Sequence, residues 1–142
     1  MRACAVAFRE IAGSFDVLIA TQVFNFIYET RAALRNAAAL LKPGGVMLGS
    51  VAGITQISRH DADRWGPFYS FTVQSWDRLL RESFAEVSIE CYGNVDSACA
   101  FLNGLATEEV DRAVLDHHDP DYPMSRFGSA ENSSFTIDGV SS

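Results

Sequence analysis

The sequence predicts an α/β fold, a Rossmann-like partial doubly wound sheet built on one strand–helix–strand unit. Three observations carry this reading. Val17-Leu18-Ile19-Ala20 and Val46-Met47-Leu48 are short, continuously apolar runs, the pattern of parallel strands covered by helices on both faces. Between them Leu34, Ala38 and Leu41 recur at helical spacing, with Arg31, Arg35 and Asn36 on other faces. Lys42-Pro43-Gly44-Gly45 then stops the helix. Proline cannot continue it, and glycine tolerates the positive φ that a sharp exit needs.

The remaining elements follow in chain order. Residues 2–12 fit either a strand over Ala3–Phe8 or a short helix reaching Ile11, and Gly13 and Ser14 punctuate before the first clear strand. After the second strand, Gly53 to Phe71 has no strong period; it holds Arg59, His60, Asp61, Asp63, Trp65, Gly66, Pro67 and Tyr69. A long irregular stretch inside a compact domain is more often functional than idle. A helix follows, capped by Thr72 or Ser75, with Trp76, Leu79 and Leu80 on one face. In Phe84–Tyr92, Val87, Ile89 and Cys91 alternate with Glu86, Ser88 and Glu90, which predicts a strand with one wet face near a sheet edge.

Ala98, Phe101, Leu102 and Leu105 predict a helical stripe over Asn94–Ala106. Thr107 is read as the cap of a further helix, with Glu108 and Glu109 at its positive end and Val110, Ala113 and Val114 as its buried stripe. Asp119 to Pro123 ends that helix. From Gly128 the chain is rich in Ser and Gly, so the expected division is a domain over residues 1–127 and a flexible tail over 128–142, with a last short strand at Phe135–Ile137.

Composition narrows the class of function. A chain of 142 residues, 48% of them apolar and ten of them Phe, holds one domain with a real core. Eighteen acids against eleven bases give a net charge of −7, which repels phosphate backbones and argues against nucleic acid as a general partner. No apolar run reaches membrane-spanning length, and the opening residues are too short for a signal-peptide core. Cys4, Cys91 and Cys99 are odd in number and lack CxxC spacing, so free buried thiols in a reducing cytoplasm are expected.

Phe15-Asp16-Val17-Leu18-Ile19, then Gln22-Val23-Phe24, then Leu41-Lys42-Pro43-Gly44-Gly45-Val46 resemble the second half of a class I methyltransferase dependent on S-adenosylmethionine. The resemblance spans roughly Ser14–Pro123 in element order, and its specific part lies in Phe15–Gly53. In that family the first piece is the fourth strand and its loop, and the proline-glycine turn leads into the fifth strand. The family binds its cofactor mainly through a glycine-rich turn after its first strand and an acidic residue after its second. No such glycine turn precedes Phe15. The expectation is therefore a truncated enzyme, weak or inactive alone, whose strand Val17–Ile19 lacks its family neighbour. Ala3–Phe8, a second chain or a missing N-terminal half would then cover the exposed edge.

The resemblance implies S-adenosylmethionine as cofactor, a small-molecule acceptor, and Thr21, Gln22 and Val23 as the cofactor-side loop. In open α/β sheets the ligand lies beyond the carboxyl ends of the strands, here Ala20-Thr21-Gln22 and Ser50-Val51-Ala52. Methyl transfer is an in-line displacement in which the protein positions the acceptor and excludes water, so no fixed catalytic signature is expected. Many relatives place a histidine where Phe26 stands here.

No catalytic residue is assigned; His60 is the best proton-transfer candidate, because histidine titrates near neutrality. Arg59, His60, Trp65 and Tyr69 are the candidate acceptor contacts, with Trp65, Phe68, Tyr69 and Phe71 either an aromatic acceptor wall or simple core. Arg59-His60-Asp61-x-Asp63 and His117-His118-Asp119 fit a solvated loop and a helix terminus better than a metal site. Two rival readings remain: a non-catalytic fragment or partner subunit that docks through its sheet edge, and a nicotinamide-dependent Rossmann enzyme, which would also need the glycine-rich turn.

Overall fold

β1 (Phe15–Thr21) and β2 (Leu41–Ser50) lie side by side and parallel, with α1 (Thr30–Leu40) as the crossover between them. The computed structural model describes residues 10–56, 62–115 and 117, and the backbone of 135–138. The central strand–helix–strand unit is thus the one expected from the two apolar runs.

α1 buries Thr30, Leu34 and Ala37, and Leu41 beyond its end is also buried. Its last carbonyls do not go unpaired: the amides of Gly13 and Ser14 donate to Ala39 O and Leu40 O at 2.9 and 3.1 Å. The proline-glycine segment belongs to β2 instead of preceding it. Phe15 pairs with Leu41 and Val17 with Val46, so Lys42–Gly45 bulge out of the ladder before regular pairing resumes. Gly44 turns at φ +78°, and Lys42 reaches back to the Asp16 carboxylate at 2.8 Å.

α2 (Val73–Leu80) starts at Thr72, whose hydroxyl accepts from the Ser75 amide at 3.2 Å, and buries Trp76 and Leu80. β3 is only Ser88–Ile89, and β4 is Phe135–Asp138. The sheet order is β1-β2-β4-β3, with β4 antiparallel to both neighbours. β3 is an edge strand, as the alternation of Phe84–Tyr92 predicted, but the ladder holds two of those residues because β4 pairs only Thr136 and Phe135 with it. β4 falls among the residues expected as a flexible tail; 128–134 and 139–142 lie outside the described residues.

The core joins Ala20, Phe24, Leu34, Met47, Phe71, Trp76, Leu80 and Phe84, with Leu18, Val87 and Ile89 packed against it. Both long-stripe helices therefore serve one face of the sheet. On β1 the opposite face stays open among the described residues: Phe15, Val17 and Ile19 are 43%, 51% and 71% exposed. Covering helices on both faces were expected there. Among the described residues no strand pairs with the outer edge of β1.

The outer helices differ more from expectation. α3 (Val95–Leu102) has a full capping box between Asn94 and Ser97, but its apolar stripe is not buried; Phe101, Leu102 and Leu105 are each about half exposed. The helix expected from Thr107 splits into a 3₁₀ turn, Thr107–Glu109, and a short α4 (Arg112–Leu115). Glu109 accepts from the Ala106 amide at 2.8 Å, and Leu115, not Ala113, is the buried residue. Cys91 is half-buried and Cys99 exposed, where buried thiols were expected; Cys4 lies outside the described residues.

Candidate functional site

Parallel strands point their carboxyl ends the same way, and here those ends are Thr21 and Ser50, directly paired. The chain leaves β1 through Gln22, which adopts φ +53°, the left-handed region that a side chain other than glycine rarely enters. Ser50, itself buried, holds that turn. Its carbonyl accepts from the Gln22 amide at 2.9 Å, and its hydroxyl accepts from the Gln22 amide and from Nε2, both at 3.2 Å. Backbone strain of this kind persists only where surrounding bonds over-determine it, and it concentrates at functional sites.

Beyond Gln22, Phe24–Phe26 form a 3₁₀ turn whose Phe24 packs on Trp76 at 5.3 Å. Asn25 is buried at 1% exposure. Its Nδ2 donates to Ala52 O at 3.0 Å and Tyr69 O at 2.7 Å, and its Oδ1 accepts from the Ala52 amide at 3.0 Å. Its backbone carbonyl accepts from the amides of Phe68 and Tyr69. The loop after β1, the end of β2 and the segment 68–71 are therefore gathered at one carboxamide.

Above this hub sits an aromatic group. Tyr28 lies against Phe68 at 5.5 Å, edge to face, and runs nearly parallel to Tyr69 at 6.3 Å. The Tyr69 hydroxyl donates to Tyr28 O at 3.1 Å. Tyr69 also contacts Phe71, which continues into the core against Trp76. Tyr28 and Phe68 keep 65% and 50% of their surface exposed. The shelf is apolar, rigid and open, the type of surface that binds a flat or apolar small molecule.

Of the residues singled out in the sequence, Thr21, Gln22 and Val23 come together at the strand ends, all exposed. Tyr69 stands on the shelf beside them, linked through Asn25. Trp65 is 60% exposed. Arg59 and His60 lie outside the described residues. Phe71 is core, whereas Phe68 and Tyr69 are exposed. Phe26 is 39% exposed.

Sequence reasoning missed Asn25 and Tyr28. Asn25 did carry a signal, a single amide inside Val23-Phe24-Asn25-Phe26-Ile27; a polar group in an apolar run must find partners. Tyr28 carried none. Among the described residues no group of three or more His, Cys, Asp and Glu side chains is placed to hold a metal ion. None of the described helices is long and apolar enough to cross a membrane.

A family model described as a methyltransferase domain matches residues 1–49, through β1, the Gln22 turn, α1 and most of β2. The highly reducing polyketide synthase acrA of Aspergillus aculeatus is 31% identical over 115 residues, 70% of this chain and 5% of that protein. The highly reducing polyketide synthase ctvA of Aspergillus terreus is 31% identical over 133 residues, 78% of this chain and 5% of that protein. The chain thus spans about one twentieth of the length of these curated relatives.

Among solved structures, the complex of the Haloferax volcanii Trm112 methyltransferase activator with a methyltransferase aligns with a TM-score of 0.49 at 14% identity. It covers 92% of this chain and 56% of that one. A methyltransferase from Bacillus halodurans aligns at 0.49 and 13%, covering 90% and 62%. Over residues 1–49, the segment that holds the Gln22 turn and the proline-glycine bulge, the chain is similar to the methyltransferase-domain family.

Proposed function

We propose that this chain supplies the acceptor side, and one wall of the cofactor side, of a methyltransferase acting on a small molecule. The observation that carries the reading is the convergence, at the carboxyl ends of β1 and β2, of the exposed Thr21–Val23 turn with the Tyr28–Phe68–Tyr69 shelf. The cofactor, when bound, supplies an electrophilic methyl group on a sulfonium, from which a nucleophilic acceptor atom takes the carbon while sulfur keeps the bonding pair. The residues present fit that group in part. Gln22, held in its left-handed turn by Ser50, presents backbone at the strand ends, and Thr21 and Val23 flank it. A glycine-rich cradle is not among the described residues.

The chain's own contribution is positional. The shelf would orient an apolar acceptor and displace water from its face, and Gln22 and Ser50 hold the turn that would flank a bound cofactor. His60 is the proposed proton acceptor and Arg59 a proposed acceptor contact, beside Trp65 and Tyr69. The names of the relatives make a polyketide-type intermediate the acceptor to test first. Isothermal titration of the chain with S-adenosylhomocysteine is expected to show weak or no binding, because no glycine-rich cradle is among the described residues. Micromolar binding would overturn the view that a further segment is required. A glycine-rich strand–turn encoded directly upstream is the expected companion finding.

A second reading has its own support: the open face and unpaired edge of β1, among the described residues, suit docking of another chain. A defined dimer in light scattering, with no glycine-rich segment upstream, would favour it.

A further inference from the structure

We infer that Asn25 is a positioning residue that couples the turn after β1 to the aromatic shelf, so that both sides of the site shift as one unit. Its functional meaning rests on the division into a cofactor side and an acceptor side made above; its geometry does not. One carboxamide uses both amide hydrogens and its oxygen at once, toward Ala52 O, Tyr69 O and the Ala52 amide. The backbone carbonyl of the same residue takes the Phe68 and Tyr69 amides at 2.8 and 3.3 Å, and Phe71 closes the ring by donating to Ala52 O at 3.1 Å. Three segments distant in sequence thus share one buried node.

No other side chain of this size satisfies the node. Leucine fills the volume but leaves Tyr69 O and the Ala52 amide without this partner, and aspartate offers no donor when ionised. The turn also meets the shelf through the Tyr69 hydroxyl on Tyr28 O, at an exposed rim, and through the ring contacts Phe24–Trp76–Phe71–Tyr69, which carry no direction of their own. A movement of the Tyr69 backbone is transmitted to residues 22–27 through the directional bonds of Asn25. A plain core staple would add stability without that transmission.

The test is amide exchange on the full chain, read by NMR or mass spectrometry, in a double-mutant cycle. Asn25→Ala is expected to speed exchange at the Ala52 amide roughly tenfold, the opening that follows loss of a buried hydrogen bond. The amides of Arg81 and Phe84, at the end of α2, should hold. Tyr69→Ala, which frees the backbone of 68–71 to move, is expected to speed exchange at Phe26 and Ile27 in the parent chain and to do so several-fold less in the Asn25→Ala background, where only the backbone bonds to residue 25 remain. Additive effects, or a uniform rise at every amide, would overturn the inference.

If Asn25→Ala does not fold, Asn25→Asp keeps the proposal open to refutation. Facing two carbonyls, that carboxyl is favoured neutral, so its folded pKa rises above the usual value near 4. Its stability relative to the parent is then greatest in acid and falls as pH rises through the raised value. A pH-independent difference from the parent would refute the node. S-adenosylhomocysteine enters none of these measurements, so failure of the methyltransferase reading and failure of this one are separable.

Discussion

Glycines 44 and 45 stand side by side and do different work. A Cβ at Gly45 would lie 2.9 Å from Lys42 O, 3.1 Å from Leu41 Cβ and 3.2 Å from Asp16 O, two of them backbone atoms that cannot swing aside. At Gly44 a Cβ meets open space, and only the φ of +78° resists a side chain. Gly44→Ala is therefore expected to cost about 1–2 kcal/mol, the left-handed penalty alone, and Gly44→Asn less. Gly45→Ala should cost about 1–3 kcal/mol through overpacking, with no rescue by asparagine. Urea midpoints of the three variants separate strain from crowding. Cys91 supplies a second contrast at this scale: burial pushes its thiol above the ordinary range, and Cys99 is exposed. Near neutrality, iodoacetamide should label Cys99 first. Because the raised value favours the neutral thiol, the native state should lose stability as pH climbs beyond about 8.5, and Cys91→Ser should blunt that loss.

Helix starts were readable in this sequence to different depths. Thr72 was expected as a cap and is one. Asn94 caps α3, and its Nδ2 also donates to Val114 O at 2.6 Å and His117 O at 2.9 Å, tying α3 to the end of α4. Thr72→Ala is accordingly expected to cost about 1 kcal/mol, and Asn94→Ala about 2–4 kcal/mol, since it loses a cap and strands buried carbonyls. Chemical denaturation followed by far-UV circular dichroism measures both. The second role of Asn94 could not be read from its neighbours, because its partners stand twenty or more positions away. The same holds for the outer segments generally. β1, α1, β2 and α2 announce themselves by period and punctuation within short windows. The length of β3 is set by β4, whose Phe135 and Thr136 pair with Ile89 and Ser88 across 46 and 48 positions of chain (135 − 89 and 136 − 88), and no local pattern contains that limit. α3 carries the right apolar spacing over Phe101, Leu102 and Leu105, yet spacing says which residues share a face and not whether anything covers it.

At the level of the whole molecule, the face of β1 with Phe15, Val17 and Ile19 is the least protected apolar surface of the sheet among the described residues. Flat, apolar strand edges invite pairing with other chains. Concentration-dependent association in light scattering is expected, and Ile19→Lys should reduce it with no change in circular dichroism. Unchanged association would show that this face is not the one responsible. The carboxyl-end location of the site was legible from the strand–helix–strand unit alone, through the rule for open α/β sheets. The convergence of Tyr28 with Phe68 and Tyr69 was not, because it is built by Asn25 across 44 positions of chain.

The seating of β4 between β2 and β3 carries a consequence for biosynthesis. A nascent polypeptide leaves the ribosome with β3 made but nothing beside it, and Met47 flanked on one side only, until Phe135–Asp138 emerge. The zipper closes last at its middle tooth. A premature stop a few codons before Phe135 would therefore remove one short ribbon and orphan another.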